Sequence, residues 1–246
     1  MGLKQWLHKR WKVVVVSAAV AATAMVLARN FTTTEKTLIT LMPHTHGVQD
    51  TQFQREMGVL LGPNILPGNR ITALQDGDEI FPDMLAGIAA AQHSITFETY
   101  IYWSGEIGQQ FADALAERAR AGVTVLVTVD WLGSVKMEAT LLEQMRNAGV
   151  RVERYRPLNW YNLDRVNKRT HRKLLVIDGH IGYTGGVGIA DQWIGRAEDP
   201  EHWRDSHFRI EGPAVAQLQA AFNDNWVKMT GTTLTGEAFF PELRAV

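Results

Sequence analysis

The sequence predicts an α/β fold with a mostly parallel central sheet flanked by helices, preceded by an N-terminal membrane helix. Three observations carry this expectation. From about residue 95 onward, short β-branched runs alternate with segments of helical period, the pattern of strands joined by crossover helices. A sixteen-residue uncharged run, Val13 to Ala28, follows a basic N-terminus. The chain has 246 residues, enough for one domain of about 200 residues with a sizeable core besides that segment.

Lys4, Lys9, Arg10 and Lys12 precede the apolar run. Sixteen helical residues span roughly 24 Å, short of a hydrocarbon core of about 30 Å. Trp11 and the Arg29 stem extend the segment at the interfaces. A cleaved signal peptide shares this layout, with Ala22-Thr23-Ala24 as its poorly placed cleavage site. An uncleaved signal-anchor is the favoured reading for residues 1–29. The positive-inside bias then leaves residues 1–12 in the cytoplasm and the main domain outside it. Residues 30–54, with Thr32-Thr33-Thr34, Pro43 and Gly47, read as a linker, and residues 55–246 as the domain.

Within the domain, Ile95–Tyr102 reads as a strand and Glu106–Ala121 as a helix, with Ile107, Phe111 and Leu115 on one face and Gly122 at the C-cap. Val123–Val129 is an apolar strand ended by Asp130. Met137–Ala148 is a helix closed by Gly149, and Val150–Tyr155 a strand. Lys173–Ile177, Ile181–Thr184 and Phe208–Ile210 complete the strands. Pro213 opens a last helix that runs to about Val227.

The most specific chemistry lies in HRKLLVIDGHIGYTGG, residues 171–186. His171, Lys173 and Asp178 have the spacing H-x-K-x4-D, and Gly185-Gly186 follow. With 8 His, 8 Lys and 12 Asp in the chain, about 0.01 such matches arise by chance. On an extended strand His171 and Lys173 share one face, so both can reach one ligand. Asp178 stands at the strand end, where it organises the site rather than touching substrate. A phosphodiester is anionic and resists a nucleophile until its charge is neutralised. Lys173 supplies a fixed cation for the phosphoryl oxygens. His171 can attack phosphorus and form a phosphohistidine, dividing one displacement into two. No metal or cofactor is needed, and none is predicted.

At these residues the chain resembles the phospholipase D superfamily. The resemblance extends to GNRITALQDGDEIFPDMLAGIAAAQHSITFETYIYW (68–103), GVTVLVTVDWLGS (122–134), RTHRKLLVIDG (169–179) and HWRDSHFRIEGPAVAQLQAAFNDNW (202–226), which are similar to the amino-terminal half of bacterial cardiolipin synthases. It covers about residues 55–240. It implies a phospholipase D-like sandwich and a phosphatidyltransferase or hydrolase of the bacterial inner membrane. The substrate it implies is an anionic phospholipid such as phosphatidylglycerol. Those enzymes carry two such motifs, whose second His protonates the leaving alcohol. This chain carries one. The resemblance therefore implies an assembly, either of two copies or with a second motif-bearing half. A truncated, inactive half is the remaining possibility.

The family places an acidic residue about thirty residues after the motif to orient the His. Asp205 fits best, with Asp191 and Glu211 as alternatives. Gly185, Gly186 and Arg169 are the expected substrate-binding residues. Gly188 stands where many members have Asn, so its backbone N–H is the substitute expected there. Other candidates rank lower. His44 and His46 lack a third ligand. His202 and His207 flank Asp205, and Glu98 interrupts an apolar strand, facing the cleft or outward. Trp103, Trp131, Trp160, Tyr161 and Trp193 form either a lipid-facing rim or core.

Composition excludes some classes. Without Cys there is neither disulfide nor Cys-ligated zinc. The net charge is −1, and without the four basic residues of the N-terminus 21 basic face 26 acidic residues. That balance argues against nucleic acid as a general partner. A local run, Arg146, Arg151, Arg154, Arg156, Arg165, Lys168, Arg169, Arg172 and Lys173, suits an anionic headgroup or a phosphate backbone. The latter is the basis of an alternative reading, a homodimeric single-motif nuclease.

Overall fold

The computed structural model describes residues 3–31, 46–157 and 169–246. Helix α1, Leu3–Phe31, breaks helical geometry at Arg10, where φ is −124° and ψ is 16°. Beyond that break, Arg10–Ala28 supplies 19 residues of mean hydropathy 2.0, none of it buried in the protein. At about 1.5 Å per residue this spans roughly 28 Å, enough by length and composition to cross a bilayer. Helix α1 and the sheet domain are separate units.

Helix α2, Thr51–Leu61, starts inside the expected linker, where the Asp50 carboxylate caps it by accepting from Gln52 N at 2.7 Å. Residues 32–45 of that linker lie outside the described residues. Strand β1 (Arg70–Gln75) and helix α3 (Asp76–Ala90) follow, then β2 (Ser94–Thr99), α4 (Glu106–Arg120), β3 (Thr124–Asp130), α5 (Ala139–Asn147) and β4 (Arg151–Tyr155). The chain closes with β5 (Leu174–Ile177), β6 (Ile181–Gly185), β7 (Ser206–Glu211) and α6 (Val215–Thr230).

The α/β class and the flanking helices are as expected, but the sheet is not mostly parallel. Its order is β1-β7-β6-β5-β2-β3-β4. Only β2–β3 and β3–β4 pair in parallel, and the other four pairings are antiparallel. Connection length is the physical reason. Helices α4 and α5 provide the long crossovers that parallel neighbours require. Between β5 and β6 only Asp178, Gly179 and His180 intervene, too few for a crossover. Asp178 and Gly179 have φ of +49° and +66°, the left-handed pair of a tight hairpin turn.

Alternation along the central strands creates two unlike faces. Ile95 and Phe97 of β2, with Val125, Val127 and Val129 of β3, join the main core beneath α3, α4 and α5. There Phe111 stacks on Phe97 at 5.9 Å and meets Phe81 edge-on at 6.0 Å. The opposite face lies under α6. Its smaller core, Leu126, Leu174, Phe222, Trp226 and Leu234, is interleaved with buried polar groups. Thr96 donates to Gln219 at 3.0 Å, and Glu98 meets Thr170 and Asn225.

Because β5 runs against β2, one end of the sheet collects the C-terminal ends of β2 and β3 and the N-terminal approach to β5. The end of β6 and the start of β7 lie there too. Hydrogen bonds tie these loops together: Trp103 N to Ile189 O at 2.8 Å, Trp103 Nε1 to Gly133 O at 2.9 Å, and Ser104 N to Lys136 O at 3.2 Å.

Candidate active site

Residues 169–173 approach β5 in extended form, and their side chains alternate as a strand's do. Thr170 and Arg172 turn toward α6, where Arg172 donates to Ala221 O at 2.6 Å and pairs with Asp224 at 3.4 Å. Arg169, His171 and Lys173 take the other side. Lys173 Nζ lies 3.3 Å from His171 Nδ1 and 3.2 Å from Nε2. Near-equal distances put the ammonium across the ring rather than along one lone pair. It also donates to His171 O at 3.1 Å. The Tyr100 ring, just beyond β2, sits 4.9 Å from the His171 ring and 5.7 Å from Lys173 Nζ. Arg169 lies over the Trp131 ring at 5.7 Å.

Electrostatics favour a neutral imidazole beside a cation. Burial holds the His171 pKa below its usual value, the Lys173 charge adds to this, and Asp130 opposes it. Burial also lowers Lys173, opposed by the charge of Asp205. His207, on β7, is buried and pushed down to about 4, first by burial and then by Lys173. The arrangement offers an uncharged nucleophile next to an ammonium group that can carry phosphoryl charge.

A family profile described as "Cardiolipin synthase, PLD-like domain" matches residues 84–226, more than half of the chain. The chain belongs to the cardiolipin synthase PLD-like domain family. Cardiolipin synthase 1 of Bacillus cereus is 41% identical over 155 residues, 63% of this chain and 30% of that protein. Cardiolipin synthase of Geobacillus kaustophilus is 39% identical over 167 residues, 68% of this chain and 33% of that protein. The match thus spans about a third of the length of these curated relatives. Among solved structures, Nuc from Salmonella typhimurium, described as a phospholipase D family member, superimposes with a TM-score of 0.51 at 13% identity. It covers 68% of this chain and 99% of its own. NucT from Helicobacter pylori gives 0.52 at 11%, covering 65% and 98%. At such identities the likeness concerns the fold alone.

Within this PLD-like domain, His171 and Lys173 come together as their spacing suggested, and Arg169 lies against Trp131. Asp178 does not join them. It lies at the opposite end of β5, roughly 16 Å away along an extended chain. Its carboxylate accepts three backbone N–H groups, Gln92 at 2.8 Å, His93 at 2.7 Å and Ser94 at 2.8 Å. It fixes the α3–β2 turn to the β5–β6 hairpin.

Asp205 reaches the site but not the expected partner. Its carboxylate accepts from Trp193 Nε1 at 3.2 Å and Ser206 N at 2.8 Å. Its charge acts on Lys173, and among the described residues no hydrogen bond joins it to His171. Asp76 locks it in place: Asp205 N donates to Asp76 Oδ1 at 3.1 Å, and Asp76 N to Asp205 O at 2.9 Å. Asp76 holds φ at +54°, a conformation that costs energy for a residue with a Cβ. The alternatives to Asp205 have other duties. Asp191 caps α4 by accepting from Glu106 N and Ile107 N, both at 3.0 Å. Glu211 ends β7 beside Arg209, at 3.6 Å.

Gly185 and Gly186 serve close approach rather than donation. A Cβ on Gly185 would strike the backbone of Ser206 and His207, and one on Gly186 the Asp205 carboxylate. Gly186 N is itself bonded to Ser206 O at 3.1 Å. At Gly188 a Cβ would stand 2.7 Å from Ile101 Cβ and 3.2 Å from Trp193, so packing leaves no room for the family's Asn.

Among the described residues, several members of the basic run are engaged within the domain. Arg146 donates to Val152 O at 3.0 Å, Arg151 pairs with Glu153 at 3.2 Å, and Arg156 lies over Tyr155 at 5.2 Å. Arg165 and Lys168 lie outside the described residues, as do His44, Trp160 and Tyr161. His46 pairs with Asp50 at 3.6 Å, and His202 with Asp199 at 2.7 Å. Trp193 and Trp203 meet edge to face at 4.8 Å, with Trp103 6.5 Å from Trp203 and Lys136 over Trp103 at 3.9 Å.

Three residues of this region escaped the sequence reading. Tyr100 lay within the expected strand Ile95–Tyr102 with no role assigned to it. Asp130 does carry a local signal, an acid at the end of an apolar strand before a Gly-containing turn. It accepts from Leu132 N at 2.9 Å and Gly133 N at 3.1 Å. Asn225, far along the chain on α6, carries none.

Proposed function

We propose that this chain supplies one half of a phosphatidyltransferase site that acts on an anionic phospholipid at a membrane, through a covalent intermediate on His171. The observation that carries the reading is the His171–Lys173 pair at the loop-rich end of a PLD-like sheet. The neutral His171 ring attacks the phosphorus of a phosphatidylglycerol-like lipid. A P–N bond forms, the P–O bond to the headgroup breaks, and glycerol leaves with a proton. A lipid hydroxyl then attacks phosphorus, the P–N bond breaks and His171 is released. Water in place of that hydroxyl gives phosphatidic acid. Lys173 carries the phosphoryl charge through both displacements. The leaving alcohol receives its proton from a second His, contributed by another copy of this chain or by a second motif-bearing half. Asp205 supports this by holding the field around Lys173.

Helix α1 supports a single-pass anchor in the inner membrane, with the domain on the extracytoplasmic side. The test is the full chain reconstituted in phosphatidylglycerol vesicles. The expected result is glycerol release with cardiolipin or phosphatidic acid as product, lost in His171→Ala and absent with single-stranded DNA as substrate. Sedimentation of the active species is expected to show two copies. Turnover by a monomer would contradict the shared site.

A further inference from the structure

Thr170 directly precedes His171 and is held from two sides by buried carboxylates. Its hydroxyl hydrogen-bonds Glu98 Oε1, and its backbone N–H donates to Asp130 Oδ2 at 3.1 Å. Asn225 closes the group, with Nδ2 2.6 Å from Glu98 Oε1 and 3.2 Å from Thr170 Oγ1. Glu98 and Asp130 are wholly buried, and Thr170 and Asn225 each expose 4%. Such groups are costly beside a hydrophobic core. Glu98 Oε2 has no hydrogen-bond partner among the described residues, so the cost is not fully offset. An apolar set at these positions would satisfy packing against α6 as well. What the polar set adds is a fixed origin, in backbone and side chain, for the residue that follows.

We propose that Glu98 and Asp130 are positioning residues for His171, acting through Thr170. Each is anchored on a central strand, Glu98 on β2 and Asp130 at the end of β3. Thr170 thereby transmits the rigidity of the sheet to a segment that is not itself part of a strand. Asp130 also ties the Leu132–Gly133 turn to the same point, so the loop beside Arg169 and the nucleophile share one reference. This assignment rests on reading His171 as the nucleophile, but the geometry it describes can be measured without turnover.

The Tyr100 ring, 4.9 Å from the His171 ring, gives the readout, because its ring current shifts the His171 resonance. The full chain is labelled with 13Cε1-histidine in detergent. His171→Gln identifies the resonance, and Tyr100→Leu gives its position without the ring current. Thr170→Val, which removes the hydroxyl, is expected to move the His171 resonance at least halfway to the Tyr100→Leu position. It is also expected to lower kcat on phosphatidylglycerol vesicles at least tenfold with KM unchanged, and Thr170→Ser to restore both. Asp130→Asn is the second variant. Its remaining oxygen turns to the Leu132 and Gly133 donors, so Thr170 N–H loses its acceptor. Recorded well above pH 6.5, where loss of the Asp130 charge does not change His171 protonation, the same shift of His171 is expected. A His171 resonance unmoved in both folded variants overturns the proposal, even if the thermal midpoint falls. Absence of turnover by the unmodified chain counts against the lipid-transfer reading only, since the resonance still decides the positioning role.

Discussion

At His171, burial and the neighbouring Lys173 ammonium both oppose protonation, and Asp130 only partly offsets them. The proposed nucleophile is therefore harder to protonate than an ordinary imidazole. The acid limb of kcat/KM is expected to have its midpoint below 6.5, the ordinary imidazole value, and a midpoint above it would exclude His171 as the group that must be deprotonated. His207 gives a separate prediction, of stability rather than rate. Its folded pKa is about 4 against 6.5 when unfolded, so between those values the unfolded chain binds more protons. Stability is fully present above pH 6.5 and falls as pH drops toward 4, by roughly 3 kcal/mol in total. Urea unfolding at several pH values measures this, and His207→Leu is expected to flatten the curve. The His171–Lys173 pair was legible in the sequence because two residues of extended chain define it. The clamp on Thr170 was not, because it joins β2, the end of β3 and α6, and nothing local to residue 170 signals those partners.

Among the elements, the β5–β6 hairpin and its Asp178 show how a motif residue serves the scaffold. Three backbone N–H groups of the α3–β2 turn converge on one carboxylate. Asp178→Ala leaves them unmatched and is expected to cost about 1–3 kcal/mol of unfolding free energy, measured by denaturant titration. The KM of the folded fraction is expected to stay unchanged, and a raised KM would indicate a substrate contact instead. Helices α4 and α5 and the strands beside them were readable from periodicity and closing glycines. The expectation of a mostly parallel sheet did not allow for the hairpin that Asp178-Gly179 builds between Ile177 and Ile181. Strand β1 and helix α3 were not assigned as elements at all. β1 is largely exposed at the sheet edge, and Pro82 interrupts the α3 pattern in the sequence without ending the helix.

At the scale of the whole molecule, a PLD-like domain follows a helix that, by length and composition, is able to span a bilayer, and the match covers about a third of these cardiolipin synthase relatives. The proposed topology predicts that alkaline phosphatase fused after Val246 is active in a bacterial host. A fluorescent cytoplasmic reporter at that position would reverse the orientation. The net charge of −1 agrees with the proposed lipid substrate rather than a polynucleotide. The proposed reaction depends on covalent chemistry at His171. The most direct measurement incubates the full chain with phosphatidylglycerol carrying 32P in its phosphate, quenches it, and maps the labelled peptide. An acid-labile label is expected on the peptide containing His171, absent in His171→Ala. Product formed while that peptide stays unlabelled, or turnover that survives His171→Ala, would contradict it.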